Sequence, residues 1–180
     1  MYGEIKVMAK IHQFNKSLNK ANDDQNLGIW ESLYRAWFPD FEAMIAHPCD
    51  GWHQRAGIDR TIILSNSKTV TVDEKLREVD RSDVALEFIS ATSNGSLGWV
   101  CKSMACDYIA YAFRPTGKGY LLPVIQLQSA WALNGERWKL KYGVMAAKNI
   151  GYETKFCCVP ASVLYQEICR AMVINNKDKT

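Results

Sequence analysis

A strand, a turn and a second strand are predicted between residues 58 and 76, and this unit limits the folds open to the chain. Residues 58–64 form a short apolar run rich in isoleucine, and the turn-forming residues Ser65, Asn66 and Ser67 follow it. Residues 69–76 then alternate apolar and polar side chains, as a strand with one buried face does. The other predicted elements have to be arranged around this strand, turn, strand unit.

Helical and strand patterns on either side of the unit complete the predicted fold. Apolar residues recur at spacings of three and four over residues 27–41, which predicts an amphipathic helix before the first strand. The polar residues 1–26 predict a loosely attached N-terminal arm or helix. Later elements are predicted as strands over 84–88, 108–113 and 120–127, a loop over 90–98, a helix over 129–142, a strand over 154–159 and a helix over 161–174.

This order of elements predicts an α/β fold in which one mixed β-sheet is flanked by helices. With 180 residues, 48% of them hydrophobic and 23% charged, the chain fits a single domain over residues 1–180. Its longest uncharged stretch, residues 119–135, falls short of the roughly 20 apolar residues that a membrane span needs. The charged N-terminal segment also argues against a secretory signal, so we expect a soluble, cytoplasmic protein.

Three charged residues on the predicted strands form the sharpest chemical feature. Asp59 stands at the head of the first strand, and thirteen residues separate it from Asp73 on the second, where Lys75 follows two positions later. Side chains alternate along a strand, so Asp73 and Lys75 share a face, and Asp59 comes beside Asp73 if the two strands pair. Two neighbouring carboxylates repel each other unless a cation neutralises them. The cluster therefore predicts a metal site, and a few hard oxygen ligands suit Mg²⁺ or Mn²⁺.

Each of these residues also has an ordinary structural explanation. Asp59 alone is compatible with a strand that opens after a turn, and Asp73 with Lys75 is equally compatible with an exposed ion pair worth under about 1 kcal/mol. Glu31 lies at the edge of the first predicted helix, where a carboxylate is usually solvated. Glu87 either joins the metal site or faces solvent, and we expect it to face solvent.

The sequence resembles the PD-(D/E)XK nuclease superfamily, which has the restriction-endonuclease-like fold. The resemblance is carried by four charged residues in the order Glu31, Asp59, Asp73 and Lys75. The resemblance rests on a short motif and on element order over residues 27–127, and Ile58 stands where the family has proline. It implies that Asp59 and Asp73 bind the metal, that Lys75 is the catalytic lysine, and that Glu31 is the helix-borne acid that some members add. It also implies hydrolysis of nucleic-acid phosphodiester bonds with Mg²⁺ or Mn²⁺.

Charge placement favours a polyanionic partner more than the net charge of +3 does. Residues 101–155 hold eight basic residues against three acidic ones, whereas residues 73–87 hold six acids against three bases. Lys139 and Lys141 are interleaved with aromatic residues, as phosphate-contacting and base-stacking surfaces are, although a solvated helix face explains this segment too.

Further substrate contacts are expected around the two predicted strands. Gln54 and Arg55 precede Asp59 and are placed at the mouth of the site, and Arg77 continues the face of Asp73 and Lys75. The sequence thus favours a Mg²⁺- or Mn²⁺-dependent deoxyribonuclease, an endonuclease rather than an exonuclease, of the kind that phages or mobile elements encode. It leaves open a homodimer, a non-catalytic nucleic-acid-binding protein on the same fold, and a structural protein whose acids are surface charges.

Overall fold

The computed structural model of the protein describes residues 24–47 and 51–172, which form four helices and nine strands in a mixed α/β arrangement. The predicted arm over residues 1–26 lies mostly outside the described residues, and the first helix already begins at Asp24. In chain order the elements are α1 (Asp24–Trp37), β1 (Phe41–Ala46), α2 (Gly51–Ala56), β2 (Arg60–Leu64), β3 (Thr69–Arg77), β4 (Asp83–Ala91), β5 (Ser96–Leu97), β6 (Tyr108–Phe113), β7 (Lys118–Pro123), α3 (Val124–Tyr142), β8 (Met145–Asn149), β9 (Tyr152–Pro160) and α4 (Ala161–Ala171).

The strands form two sheets, so the α/β class is confirmed and the prediction of one sheet is wrong. The first sheet has the order β1-β2-β3-β6-β7 and is mixed, because β3 and β6 run parallel while its other neighbours are antiparallel. The second sheet has the order β5-β4-β9-β8 and is antiparallel. β6 occupies the edge of β3 that β2 leaves open, and β4 pairs with β9 in the second sheet.

The predicted hairpin is present, whereas several element boundaries differ from the prediction. β2 and β3 pair antiparallel from Arg60 with Val72 to Ile63 with Thr69, around a turn in which Ser67 has a φ of 62°. The first helix ends at Trp37, and the unpredicted strand β1 follows it. The apolar run after residue 120 switches from strand to helix at Pro123, because proline lacks the amide proton a ladder needs and suits the start of a helix. α2 and β8 were also missed.

The two faces of the first sheet pack against different partners. On one face, Trp30 and Tyr34 of α1 are fully buried against Val72 of β3, together with Ile62, Ala110 and Ala112. On the other face, Ile109, Tyr111 and Phe113 of β6 join a larger core with β4, β9, α3 and α4. Since side chains alternate along β3, Asp73 and Lys75 project from this second face. Among the described residues, no helix has the length and apolar character needed to cross a bilayer.

A hydroxyl group joins the two sheets directly. The Tyr111 hydroxyl oxygen accepts hydrogen bonds from the backbone amide of Ala85 on β4, at 3.0 Å, and from the guanidinium of Arg77 on β3, at 2.7 Å. Tyr111 is 1% exposed, and each of these polar groups therefore has a partner inside the core. This contact ties β4 of the second sheet to β3 and β6 of the first.

Further along β4, the chain after β5 passes directly against this strand. The ladder between β4 and β9 is irregular between Glu87 and Ile89, and the amide of Gly98 donates a 3.0 Å hydrogen bond to the carbonyl of Phe88. A Cβ atom at position 98 would lie 2.2 Å from the carbonyl oxygen of Glu87, a distance that no side chain can adopt. Only glycine allows this approach, so Gly98 sets the position of the turn over residues 98–102.

We expect Gly98→Ala to lower the free energy of unfolding by about 2–3 kcal/mol, because backbone atoms have to move to admit the added methyl group. Gly28→Ala is the matched control: a Cβ there meets no atom within 4 Å, and alanine in a helix is favoured over glycine by up to about 1 kcal/mol. Urea unfolding of both variants measures the difference. Equal stability of the two variants would contradict the proposed close approach.

Candidate active site

The hairpin brings Asp59 and Asp73 together, as the sequence predicted. The pairing of Arg60 with Val72 places Asp59, one residue before β2, opposite Asp73. The carboxylate oxygen Oδ2 of Asp59 accepts a 2.8 Å hydrogen bond from the amide of Glu74, and the Asp59 amide donates a 2.9 Å hydrogen bond to the Val72 carbonyl. Asp59 is therefore held at the start of β2 through both its backbone and its side chain.

Asp73 is a buried carboxylate that forms an ion pair with Lys75. The Nζ atom of Lys75 lies 2.5 Å from Oδ2 of Asp73, and Asp73 is only 5% exposed. Burial raises the pKa of Asp73 to about 6; Lys75 opposes this rise, and the negative charge of Asp59 adds to it. Burial would lower the pKa of Lys75, but the surrounding carboxylates raise it instead, so Lys75 stays protonated at neutral pH.

Glu87 and Lys102 complete the cluster from the second sheet and the adjoining turn. Burial raises the pKa of the half-buried Glu87, and the charges of Lys75 and Lys102 oppose that rise. Glu87 was expected to face solvent, and its side chain is half-buried rather than fully exposed. The positive charge of Lys102, a residue that no motif in the sequence indicates, also opposes the rise in the pKa of Asp73. No spacing in the sequence links Lys102 to Lys75, because the connection depends on Gly98 packing against β4.

The donor set fits a hard divalent cation. Asp59, Asp73 and Glu87 supply three negative charges and Lys75 and Lys102 two positive ones, which leaves one excess negative charge. Over the described ranges, no three His, Cys, Asp or Glu side chains are already grouped as metal ligands. Mg²⁺ nevertheless needs only one or two carboxylates, because it keeps most of its water ligands. The neighbouring carboxylates of Asp59 and Asp73 meet that requirement.

Glu31 is placed away from this cluster. It pairs with Arg35 at 2.7 Å on the exposed side of α1, and α1 packs on the face of the sheet opposite to Asp73. The helix pattern correctly put Trp30 and Tyr34 in the core, but it gave no information about which face of the sheet the helix covers. The geometry therefore gives no support to Glu31 as a metal ligand.

The predicted substrate-binding residues are spread over several surfaces. The side chain of Gln54 lies outside the described part of the chain, and Arg55 is exposed on α2. The end of α2 is joined to Ile58, the residue before Asp59, by a 2.9 Å hydrogen bond from the Ile58 amide to the His53 carbonyl. Arg77 is engaged with Tyr111. On α3, Lys139 pairs with Glu136 and lies over the Phe88 ring, and Lys141 lies over the Tyr142 ring.

A buried ion pair lies directly behind the cluster, on the other face of β3. Arg60 Nε and Nη2 contact the two carboxylate oxygens of Glu74 at 2.6 and 3.1 Å, and the Tyr34 hydroxyl donates a 2.6 Å hydrogen bond to Oε1 of Glu74. The Arg60 and Glu74 side chains are 3% and 4% exposed. Because the Glu74 amide binds Asp59, this residue connects the ion pair to the site.

No protein-family model, curated protein or solved structure matches the chain. The residues and contacts described above are therefore the only basis for assigning a function.

We expect Glu74→Gln to lower the free energy of unfolding by about 3–5 kcal/mol, because it leaves the Arg60 cation buried without a carboxylate. A double variant, Arg60→Met with Glu74→Leu, removes both charges and should be much closer to the native protein in stability. Chemical denaturation of the two variants checks this. A cost below about 1 kcal/mol for Glu74→Gln would contradict the buried pairing.

Stability in EDTA should depend on pH through Asp73. Its pKa is raised by folding, so the folded state binds this proton more tightly than the unfolded state, and lowering the pH through about 6 stabilises the fold. Relative to Asp73→Asn, the native protein should gain up to about 3 kcal/mol between pH 7 and pH 4. Asp80→Asn is the control. A hydrogen bond from the Ser82 amide lowers the pKa of Asp80, so protonation of Asp80 at low pH should destabilise the fold, which is the opposite of the effect of Asp73. Parallel pH profiles for the native protein and Asp73→Asn would refute the assignment.

Proposed function

We propose that the protein is a divalent-metal-dependent nuclease that hydrolyses phosphodiester bonds in DNA. The proposal depends on one observation: Asp59, Asp73 and Lys75 converge on one face of the β2–β3 hairpin, with Asp73 buried and paired with Lys75. An ordinary surface ion pair would not bury its carboxylate. The arrangement agrees with the resemblance to the PD-(D/E)XK superfamily that the sequence suggests.

The residues of the cluster divide the chemistry between them. Asp59 and Asp73 would hold Mg²⁺ or Mn²⁺, which when bound lowers the pKa of a coordinated water and neutralises charge on the phosphate. Lys75 is held in its protonated form, so it stabilises developing negative charge and orients the attacking water rather than accepting a proton. Glu87, whose pKa is raised by burial, would take up that proton.

The acidic cluster and two exposed basic residues, Arg55 and Lys141, together favour a polyanionic substrate. With a divalent cation bound, the cluster changes from one excess negative charge to one excess positive charge, which matches a phosphodiester anion. Lys141 is exposed on α3, and Arg55 is exposed on α2 next to the strand that begins after Asp59. Such basic side chains contact phosphates and contribute affinity without reading sequence.

Supercoiled plasmid DNA is the sharpest substrate for a test, because a closed circle has no ends and only an endonuclease can cut it. We expect cleavage with Mg²⁺ or Mn²⁺ and none with EDTA. Asp73→Asn and Lys75→Met should each reduce the rate at least about 100-fold, as loss of a charge-stabilising group does. Thermal unfolding of each variant confirms that it is folded.

Two further variants separate the alternatives. Glu87→Gln should reduce cleavage about 10-fold or more, whereas Glu31→Gln should leave it unchanged, since Glu31 lies with Arg35 on the other side of the sheet. Equal cleavage by the native protein, Asp73→Asn and Lys75→Met would disprove the site. DNA binding without metal-dependent cleavage would instead indicate a non-catalytic nucleic-acid-binding protein.

A further inference from the structure

Three aromatic side chains, His47, His53 and Trp52, form a stack beside Asp59. The imidazole rings of His47 and His53 are nearly parallel, with 5° between their planes and 3.8 Å between their centroids. The indole of Trp52 stands perpendicular to the His53 ring, at a centroid distance of 4.9 Å. Stacked and edge-to-face contacts are favourable arrangements of aromatic rings, so each side chain of this aromatic stack supports the orientation of the next.

The backbone of the aromatic stack is bonded directly to the residues around Asp59. The His47 amide donates a 2.9 Å hydrogen bond to the Asp59 carbonyl. The Ile58 amide, one residue before Asp59, donates a 2.9 Å hydrogen bond to the His53 carbonyl. The position of the stack relative to the proposed metal site is therefore set by the backbone on both sides of α2.

One side-chain contact shows on which face of the first sheet the aromatic stack lies. Nε2 of His47 is 2.9 Å from the hydroxyl oxygen of Thr61 on β2, within hydrogen-bond distance. The two neighbours of Thr61 on the strand, Arg60 and Ile62, point toward α1. Because side chains alternate along a strand, Thr61 points to the opposite face, which is the face that carries Asp73.

Trp52 is the exposed end of the aromatic stack. It is 61% exposed, whereas four of the other tryptophans are at most 8% exposed and Trp37 is half-buried. The perpendicular contact with His53 covers at most one of the two faces of the indole. Arg55, three positions later on α2, is also exposed and lies on the same side of the helix. An accessible indole with a cation beside it suits a nucleic-acid strand, in which a base can stack and a phosphate can pair.

We propose that Trp52 binds the nucleic-acid substrate by stacking on an unpaired base next to the phosphate that is cleaved. The inference rests on the proposed nuclease function and deepens it, because it identifies strands with unpaired bases as the preferred substrate. Every base has a flat π-face, so this contact tolerates any sequence. A supercoiled plasmid also supplies such bases, since negative supercoiling favours local opening of its strands.

A purely structural role for Trp52 leads to different expectations. If Trp52 only supported His53, its replacement would lower folding stability and weaken the binding of every polyanion alike. If Trp52 stacks on a base, its replacement lowers affinity only for strands that carry bases, and the dependence of affinity on salt stays the same because no phosphate contact is lost. An abasic strand, which has the same phosphates and no bases, therefore separates the two roles without any need for catalysis.

The test uses Trp52→Leu, which keeps an apolar side chain without an aromatic face, and Trp52→Phe, which keeps such a face. Ile150→Ala is the control for loss of an exposed apolar side chain, because Ile150 is 67% exposed between β8 and β9. Affinities for a single-stranded oligothymidylate and for an abasic strand of equal length are measured with Ca²⁺ in place of Mg²⁺. The native protein and Ile150→Ala should bind oligothymidylate about 10-fold more tightly than the abasic strand. Trp52→Leu should bind both strands alike, and Trp52→Phe should keep most of the preference.

Tryptophan fluorescence reports the same contact directly. Stacking on a base quenches the emission of an indole, and Trp52 is far more accessible to an added strand than the other tryptophans are. The native protein should lose fluorescence when oligothymidylate is added and keep it when the abasic strand is added. Trp52→Phe should keep its fluorescence with both strands, although it still binds oligothymidylate.

An undiminished preference for oligothymidylate in Trp52→Leu would overturn the inference, as would a loss that is matched by Ile150→Ala or that follows a loss of thermal stability. Failure of the native protein to prefer oligothymidylate over the abasic strand would overturn it too. The nuclease proposal fails separately: Trp52-dependent base stacking without plasmid cleavage would disprove the enzyme and keep the contact. Cleavage of plasmid by Trp52→Leu at the native kcat/KM would keep the enzyme and disprove the contact.

Discussion

The contact between Glu74 and its three partners determines the rest of the site. Its carboxylate binds Arg60 on β2 and Tyr34 on α1, and its backbone amide binds the Asp59 carboxylate. One residue of β3 therefore fixes the neighbouring strand, the helix behind the sheet and one acid of the cluster. A shift of β3 by one residue would exchange its faces, separate Glu74 from Arg60 and Tyr34, and separate Asp59 from Asp73.

Such a buried pair is a device for specificity more than for stability. Taking two charges out of water costs several kcal/mol per ion, and their attraction inside the protein roughly offsets this cost. The gain is that every wrong register leaves a charge buried without its partner, so only one register is favourable. The alternation along β3 then converts that register into function, because Glu74 points to α1 and its neighbours Asp73 and Lys75 point to the second sheet.

The sequence was sufficient for features that depend on local periodicity, and insufficient for those that depend on which elements become neighbours. The alternation over residues 69–76 correctly predicted the hairpin and the common face of Asp73 and Lys75. Nothing in that pattern shows that β6 takes the edge of β3 while β4 joins β9, so the second sheet was missed. For the same reason, no pattern in the sequence connected Glu87, on β4, or Lys102, on the turn after β5, with the hairpin. Glu31 was assigned from order along the chain, which does not determine the face that a helix covers.

Burial of Asp73 connects the fold to the proposed chemistry. A carboxylate with a pKa of about 6 is still ionised at neutral pH, but it has lost most of the water that stabilises its charge in the unfolded chain. Lys75 replaces part of that water, and a bound divalent cation would replace more of it. The folding energy that is lost by burying Asp73 thus becomes affinity for a cation, while Lys75 keeps the carboxylate charged enough to act as a ligand. This balance explains why the acid and the lysine share one strand face, and why a surface pair with the same spacing would not have the same properties.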